Sequence, residues 1–278
     1  MAEAGLNSHS SAAPAEAGTQ VSLDRQLLDA VKLGTAREVQ DLVSRGANVN
    51  QLIGSLSQNL VFFAASRRLT PIGGRISLLK VLVQQFGLAA AAVDRGLRHT
   101  PLFYAAREGD AEACAFLLDQ KCSPDHSDEN MQTALFFASR HGQDDVAKLL
   151  ISRRAVVDRQ DNLSSQTPLF WAAIGGHPNV MRTLLAGKAS IDHTTQQGYT
   201  CLFVAKGDAV AVAVKAGCDP NHRDRLCKTA LFLAASAGDV VKVQTLVRLG
   251  AEVDAVDVDG WTCLFHAAKK GYVDVIEL

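Results

Sequence analysis

Apolar and polar positions along the chain fall into blocks that recur. Each block opens on a threonine, runs through a short apolar stretch and meets a glycine. It then resumes a second apolar stripe and closes on a polar segment. The opening stretch is Thr100-Pro101-Leu102-Phe103-Tyr104-Ala105-Ala106. It returns as Thr133-Ala134-Leu135-Phe136-Phe137-Ala138-Ser139 and as Thr167-Pro168-Leu169-Phe170-Trp171-Ala172-Ala173. Further copies start at Thr200, Thr229 and Thr262, and a degenerate one is Asn59-Leu60-Val61-Phe62-Phe63-Ala64-Ala65. The threonines are spaced by 33, 34, 33, 29 and 33 residues. Repetition at this period marks a stacked array of small units.

Each block predicts two helices. The threonine stands at an N-cap position, where a hydroxyl can accept from the free N–H groups of the first turn. Pro101 and Pro168 sit at the first helical position, which tolerates proline. Gly109, Gly142, Gly176, Gly238 and Gly271 lie nine residues after their threonines and suit a left-handed helix stop. Counted from that glycine, positions four, five, eight and nine are mostly apolar. They read Val146, Ala147, Leu150 and Ile151 in one block, and Val180, Met181, Leu184 and Leu185 in the next. That stripe is one face of a second helix. A single hairpin cannot bury its stripe alone, whereas stacking on two neighbours can.

The period and the T-x-L-F-x-A-A core make the chain resemble the ankyrin-repeat family from about Leu23 onward. The resemblance implies an all-α repeat solenoid of helix–turn–helix units. It also implies that segments such as Asp125 to Asn130 form finger-like β-hairpins. Partners in that family are often gripped by a concave groove and the finger tips together. The family's usual histidine after Pro-Leu is phenylalanine here, at Phe62, Phe103, Phe136, Phe170, Phe203, Phe232 and Phe265. A greasier seam between repeats is expected. Repeats are expected at about 58–98, 99–131, 132–165, 166–198, 199–227, 228–260 and 261–278, the last incomplete. Residues 21–57 read as an N-terminal capping repeat, and residues 1–20, rich in Ala, Ser, Gly and Glu, as a disordered tail.

Three irregularities interrupt the pattern. The residues at 67–74 are an insertion whose two glycines and proline predict a loop. In the fifth block Gly207 ends the first helix after seven residues rather than nine, and the second helix, 208–216, is short. A local flaw in the stack is expected there. The last block stops before positions eight and nine of its second helix. A fragment of a longer protein is therefore expected.

The formal net charge of -1 provides no broad basic field for nucleic acid. No apolar run is long enough to cross a membrane. The six cysteines include no C-x-x-C pair, and the chain opens without a secretory signal pattern. Reduced thiols in the cytoplasm or nucleus are expected. No phosphate loop, nucleophile elbow or zinc helix is present. No catalytic residue, metal or cofactor is expected. His126, His193 and His222 recur after the second helix and point to a shared turn role. Asp254, Asp257 and Asp259 read as a solvated loop.

The variable position before Ala-Ala is Phe63, Tyr104, Phe137, Trp171, Val204, Leu233 and His266. The resemblance places this row toward the groove. Tyr and Trp are enriched at binding hot spots, although rings packing on one another would explain the row equally well. The candidate finger tips are Arg95, Arg98, Glu129, Met131, Gln197, Tyr199, Arg225 and Trp261. A monomeric module that binds another protein is expected, with no nucleic acid and no membrane insertion. The alternative is the targeting or regulatory arm of a larger enzyme or membrane protein.

Overall fold

The computed structural model of the chain describes residues 14–66 and 72–278. It divides into two compact units, Met1–Ala89 and Ala90–Leu278.

The first unit contains α1 (Pro14–Leu33), α2 (Ala36–Ser44), α3 (Leu60–Ala65) and α4 (Ile72–Lys80), which runs on into a π-helical turn at Val81–Gln85. Thr35 and Glu38 form a reciprocal capping box that starts α2. Leu27 and Val31 of α1 and Val39 of α2 are fully buried. Asn59 caps α3 by accepting from the Val61 N–H at 3.1 Å and donates its own amide to the Ala89 carbonyl at 3.0 Å.

Two expectations change here. Residues 14–20, assigned to the disordered tail, form the start of α1. Gln20 ties that start down by donating to Asp24 and to the Gly46 carbonyl. Residues 1–13 lie outside the described residues. Of the predicted loop at 67–74, residues 67–71 also lie outside them, but 72–74 belong to α4. Leu78, Leu79 and Leu82 further along that helix are fully buried. Their packing outweighs the low helix propensity of the glycine pair.

The second unit is a stack of hairpins. These are α5 (Pro101–Glu108) with α6 (Ala111–Asp119), α7 (Ala134–Arg140) with α8 (Asp144–Ser152), α9 (Pro168–Gly175) with α10 (Pro178–Ala186), α11 (Cys201–Val204) with α12 (Asp208–Lys215), α13 (Ala230–Ala237) with α14 (Val240–Arg248), and α15 (Cys263–Lys270) with α16 (Val273–Ile276). First helices pack on neighbouring first helices and second on second. The seam between first helices is made of Leu, Phe and Ala. Leu102, Phe103, Ala105 and Ala106 are buried, as are their equivalents down to Leu231, Phe232, Ala234 and Ala235, except in the fifth block, where Lys206 stands in the place of Ala106 and is exposed. Burying one such Leu or Phe contributes roughly 1.5–3 kcal/mol. The Phe substitutions therefore do make an apolar seam. The helix-ending glycines behave as expected, Gly109 for example with φ 77°.

The threonines do not behave as expected. They hold the extended N-cap backbone, but at Thr100, Thr133, Thr167 and Thr229 the side chain accepts nothing from the first turn. Their hydroxyls are buried with no hydrogen-bond partner. The Phe three residues on is apolar and offers them none. Thr200 differs, because its Oγ1 accepts from the Cys218 thiol at 3.4 Å.

The β-hairpin expectation is also corrected. Among the described residues no strand forms, and there are only isolated antiparallel bridges at Ile53–Gln58 and Val256–Thr262. The polar segments are turns, held by side chains. Successive turns are linked by single backbone hydrogen bonds: Glu129 N–H to Leu97, Asn162 to Asn130, Gln196 to Ser164, Arg225 to Gln197 and Val258 to Leu226, at 3.1–3.3 Å.

An N-cap threonine normally costs about 1 kcal/mol when removed. Here a buried hydroxyl without a partner carries a desolvation penalty instead. Thr133→Val and Thr167→Val are each expected to leave stability unchanged or raise it by about 1 kcal/mol, read as the urea midpoint. A loss of 1 kcal/mol in either would show that the hydroxyl is capping after all.

Candidate functional site

The first helices of the second unit present the variable row on one face. Tyr104, Phe137, Trp171, Val204, Leu233 and His266 are all half-buried there. Tyr104 and Phe137 gather round His99, with ring centroids 5.8 and 5.2 Å away. Phe137 also meets Phe103 edge-on at 5.2 Å. Trp171 lies under the Arg140 guanidinium at 4.8 Å, and Tyr104 under that of Arg107 at 5.3 Å. His266 packs against Phe232 at 5.7 Å. Phe63 belongs to the first unit, where Lys32 stands over its ring at 5.2 Å. The rings are thus both packed and partly open, and neither reading of the row holds alone.

Their polar ends are held by the turns. Each turn contains one buried acceptor: Asp94, Asp128, Asp161, Thr195, Asp224 or Asp257. Oδ1 of Asp161 accepts from the N–H groups of Ser164 and Gln166 at 3.0 and 3.1 Å. Asp128 takes those of Asn130 and Gln132, both at 2.8 Å, and Asp224 those of Leu226 and Lys228, also at 2.8 Å. The other carboxylate oxygen often receives the variable residue. Tyr104 donates to Asp94 at 3.3 Å, Trp171 to Asp161 at 3.4 Å, and His266 Nε2 lies 2.8 Å from Asp257. Asp257 is 5 % exposed, so it is not part of a solvated loop. Asp254 and Asp259 are exposed as expected. The signal for these acceptors was an Asp or Thr five or six residues before each block's threonine, and it went unread.

The histidines do share one role. His126, His193 and His222 bind the carbonyls of Arg98, Ser165 and Gly198 in the preceding turn at 2.7–2.9 Å. Among the candidate tips, Arg95, Arg98, Glu129, Met131, Gln197 and Arg225 are exposed. Arg98 and Met131 hold left-handed backbone, with φ 63° and 62°. Tyr199 stacks on Phe203 with centroids 4.8 Å apart, and Trp261 lies against Phe265. Both cover the seam from the base of the turn, Tyr199 half-buried and Trp261 exposed.

The predicted flaw lies at the fifth block, in a different form. The first helix, α11, ends at Val204, and Ala205 turns extended. Gly207 does not stop it. At φ 52° and ψ -135°, which glycine alone adopts with ease, it begins α12. The Lys206 N–H crosses to the Ala173 carbonyl at 3.1 Å. The missing turn leaves the Phe203 carbonyl without a helical donor, and Lys242 supplies one, Nζ donating at 2.9 Å. Lys242 occupies position four of its second helix, an apolar slot in most other blocks, and is 8 % exposed. Burial pushes its pKa down to about 8 against the usual 10.5. A pocket of about 470 Å³ opens beside it, lined among others by Ile174, Val204, Lys206 and Leu233. Sequence reading missed Lys242, although a lysine in an apolar slot is a visible departure.

A stack of hairpins that presents a row of side chains from its first helices is a repeat protein built for surface contact. The ankyrin-repeat family model matches residues 72–161, 155–224 and 204–278 in three copies, and the chain belongs to that family. Ankyrin repeats generally mediate protein–protein interaction, and the family is generally non-catalytic. The chain is similar to the probable 26S proteasome regulatory subunit p28 of Saccharomyces cerevisiae, 32% identical over 93 residues, or 32% of this chain and 41% of that one. It is 36% identical to NF-kappa-B inhibitor alpha of Rattus norvegicus over 70 residues, 23% of this chain and 22% of that protein. It is 35% identical over 80 residues to glycerophosphocholine phosphodiesterase gde1 of Schizosaccharomyces pombe, 28% of this chain and 7% of the enzyme. The chain thus spans less than half the length of each of these three relatives. No helix among the described residues is long and apolar enough to cross a membrane.

Two outcomes follow from this geometry. Asp161→Ala removes the acceptor of two backbone N–H groups and of Trp171. A loss of about 2–3 kcal/mol is expected, with a red shift of tryptophan emission as the indole is released. An unshifted spectrum would show that the carboxylate does not hold the ring. For Lys242 the folded pKa lies below the unfolded value, so the unfolded chain binds more protons between them. Its contribution to stability should therefore rise from pH 8 to 10.5, by about 3 kcal/mol in all. Below pH 8 the full penalty of the buried ammonium applies. The difference between wild-type and Lys242→Met urea midpoints should follow that window, and a constant difference would mean that Lys242 is not desolvated.

Proposed function

We propose that this chain is a protein-binding module that holds a partner on the first-helix face of its second unit, with the exposed turn residues gripping alongside. The observation that carries this reading is the variable row itself. Tyr104, Trp171 and His266 are locked at their polar ends by turn carboxylates while their rings remain half-exposed. Side chains fixed in advance lose little entropy on binding, and Tyr and Trp are the residue types that dominate interface energetics. Arg95, Arg98, Glu129, Met131, Gln197 and Arg225 are the accompanying turn contacts, with the exposed edge of Trp261 beside them. The partner is a single protein bound by a monomer, in the cytoplasm or the nucleus.

A second reading is supported by the relatives. The similar segments of the phosphodiesterase and of the proteasome subunit are parts of longer chains, which suits a targeting or regulatory arm. The proteasome subunit and the NF-kappa-B inhibitor are named as regulators, and both fit a module that acts by occupying another protein's surface.

The test is affinity capture from cell extract followed by mass spectrometry, with wild type, Tyr104→Ala with Trp171→Ala, and Val180→Ala. The double variant loses two side-chain hydrogen bonds and so about 1–3 kcal/mol of stability. Val180→Ala, buried in the second helix α10 and away from the first-helix face, loses about 2 kcal/mol and serves as the control. Proteins held by wild type and Val180→Ala but not by the double variant support the reading. Equal capture by all three would remove the row from the binding surface.

A further inference from the structure

The pocket at the fifth block interrupts the variable row where the rings give way to Val204 and Leu233. Its walls are apolar, from Ile174, Val204 and Leu233, and Lys206 and Lys242 add two ammonium groups. One N–H of Lys242 goes to the Phe203 carbonyl. Asp239 also lines the pocket and is occupied as an N-cap, its Oδ1 accepting from the Lys242 backbone N–H at 3.0 Å. The apolar part of the lining suits one bulky apolar side chain, and the pocket is roomy enough to admit it.

The pocket lining carries two lysines, Lys206 and Lys242, against one carboxylate, Asp239, and cations also outnumber anions beside it. The residue three after the variable position is Arg107 in α5, Arg140 in α7 and Lys269 in α15, and Lys206 lies two after Val204, just past the shortened α11. Lys270 adds a further cation. Arg107 is paired with Glu108 at 2.8 Å. Arg140, Lys206 and Lys269 have no carboxylate within ion-pair distance among the described residues. A chain of net charge -1 therefore concentrates unpaired cations along the edge of its ring-bearing face. Such a stripe attracts an acidic partner and steers its approach.

We propose that the notch at the fifth block is the anchor point of this face, and that its ligand is an extended acidic peptide segment carrying one bulky apolar side chain. The apolar side chain enters between Ile174, Val204 and Leu233. Carboxylates on either side of it meet Arg140, Lys206 and Lys269. Neighbouring first helices lie about 10 Å apart, so the two repeat steps from Arg140 to Lys206 and the two from there to Lys269 span about 40 Å. An extended peptide covers that distance in about 12 residues at about 3.3 Å each. The inference rests on the reading that the first-helix face binds protein, and it adds the ligand's charge and its anchor.

The experiment is selection of displayed random 12-residue peptides on the full chain, followed by fluorescence anisotropy with the most enriched peptide. Enriched sequences should place Asp and Glu around one Leu, Ile, Phe or Trp. Lys206→Glu, at an exposed site, and Val204→Phe, which fills the notch, should each weaken the peptide tenfold or more. Leu233→Phe is a second filling variant should Val204→Phe lower the urea midpoint. Raising NaCl from 0.05 to 0.5 M should also weaken binding, by roughly tenfold. Enrichment without acidic bias, no enrichment at all, displacement by heparin at equal charge, or unchanged affinity in Lys206→Glu and the filling variants would overturn the proposal. If Tyr104→Ala with Trp171→Ala abolishes peptide binding while the notch variants do not, the face remains a binding surface and the anchor falls.

Discussion

The second unit is held together by apolar contact between each hairpin and the next. No hairpin encloses a core of its own. Phe103, Phe136, Phe170, Phe203 and Phe232 are each buried between two first helices. Each therefore contributes to an interface and not to a private interior. Stability in such an array is close to a sum of neighbour terms. That constraint explains why the seam tolerates so little polarity. It also makes the four orphaned threonine hydroxyls notable, since with Ser139 Oγ they are polar atoms that the seam fails to satisfy.

Polar bonding is concentrated in the turns. A buried carboxylate in most turns organises two backbone N–H groups, and its second oxygen often restrains a ring of the variable row. The same residue thus closes a loop and positions a contact side chain. A histidine seven residues beyond the second helix closes its turn back onto the previous one, as His193 does on the Ser165 carbonyl. Local fold and candidate binding surface are built from one set of hydrogen bonds. Losing a turn carboxylate should therefore affect both.

The fifth block shows what a deletion does in a neighbour-coupled array. A turn of α11 is lost, yet the line of backbone bonds between turns continues through Arg225 and Gln197. The cost falls on the helical side, where a carbonyl loses its donor and a pocket opens. Lys242, from the next block, repairs the carbonyl at the expense of burying an ammonium group. A compensation spanning 39 residues arises because adjacent blocks share one interface.

Periodicity alone was sufficient to read the hairpin stack. The spacing of threonine, phenylalanine and glycine reports directly on repeated helix starts, seams and stops. The shared histidine role was legible for the same reason, as a recurring residue in a recurring place. The start of α1 and the glycine-rich start of α4 were not, because packing outweighs local propensity. Side-chain partners were also beyond reach. Whether Thr133 caps a helix, whether Asp257 is solvated and where the Lys242 ammonium lies each depend on which atoms a neighbouring block brings within about 3 Å. Only the tertiary structure brings those atoms together, and the chemistry of the proposed binding face follows from that packing.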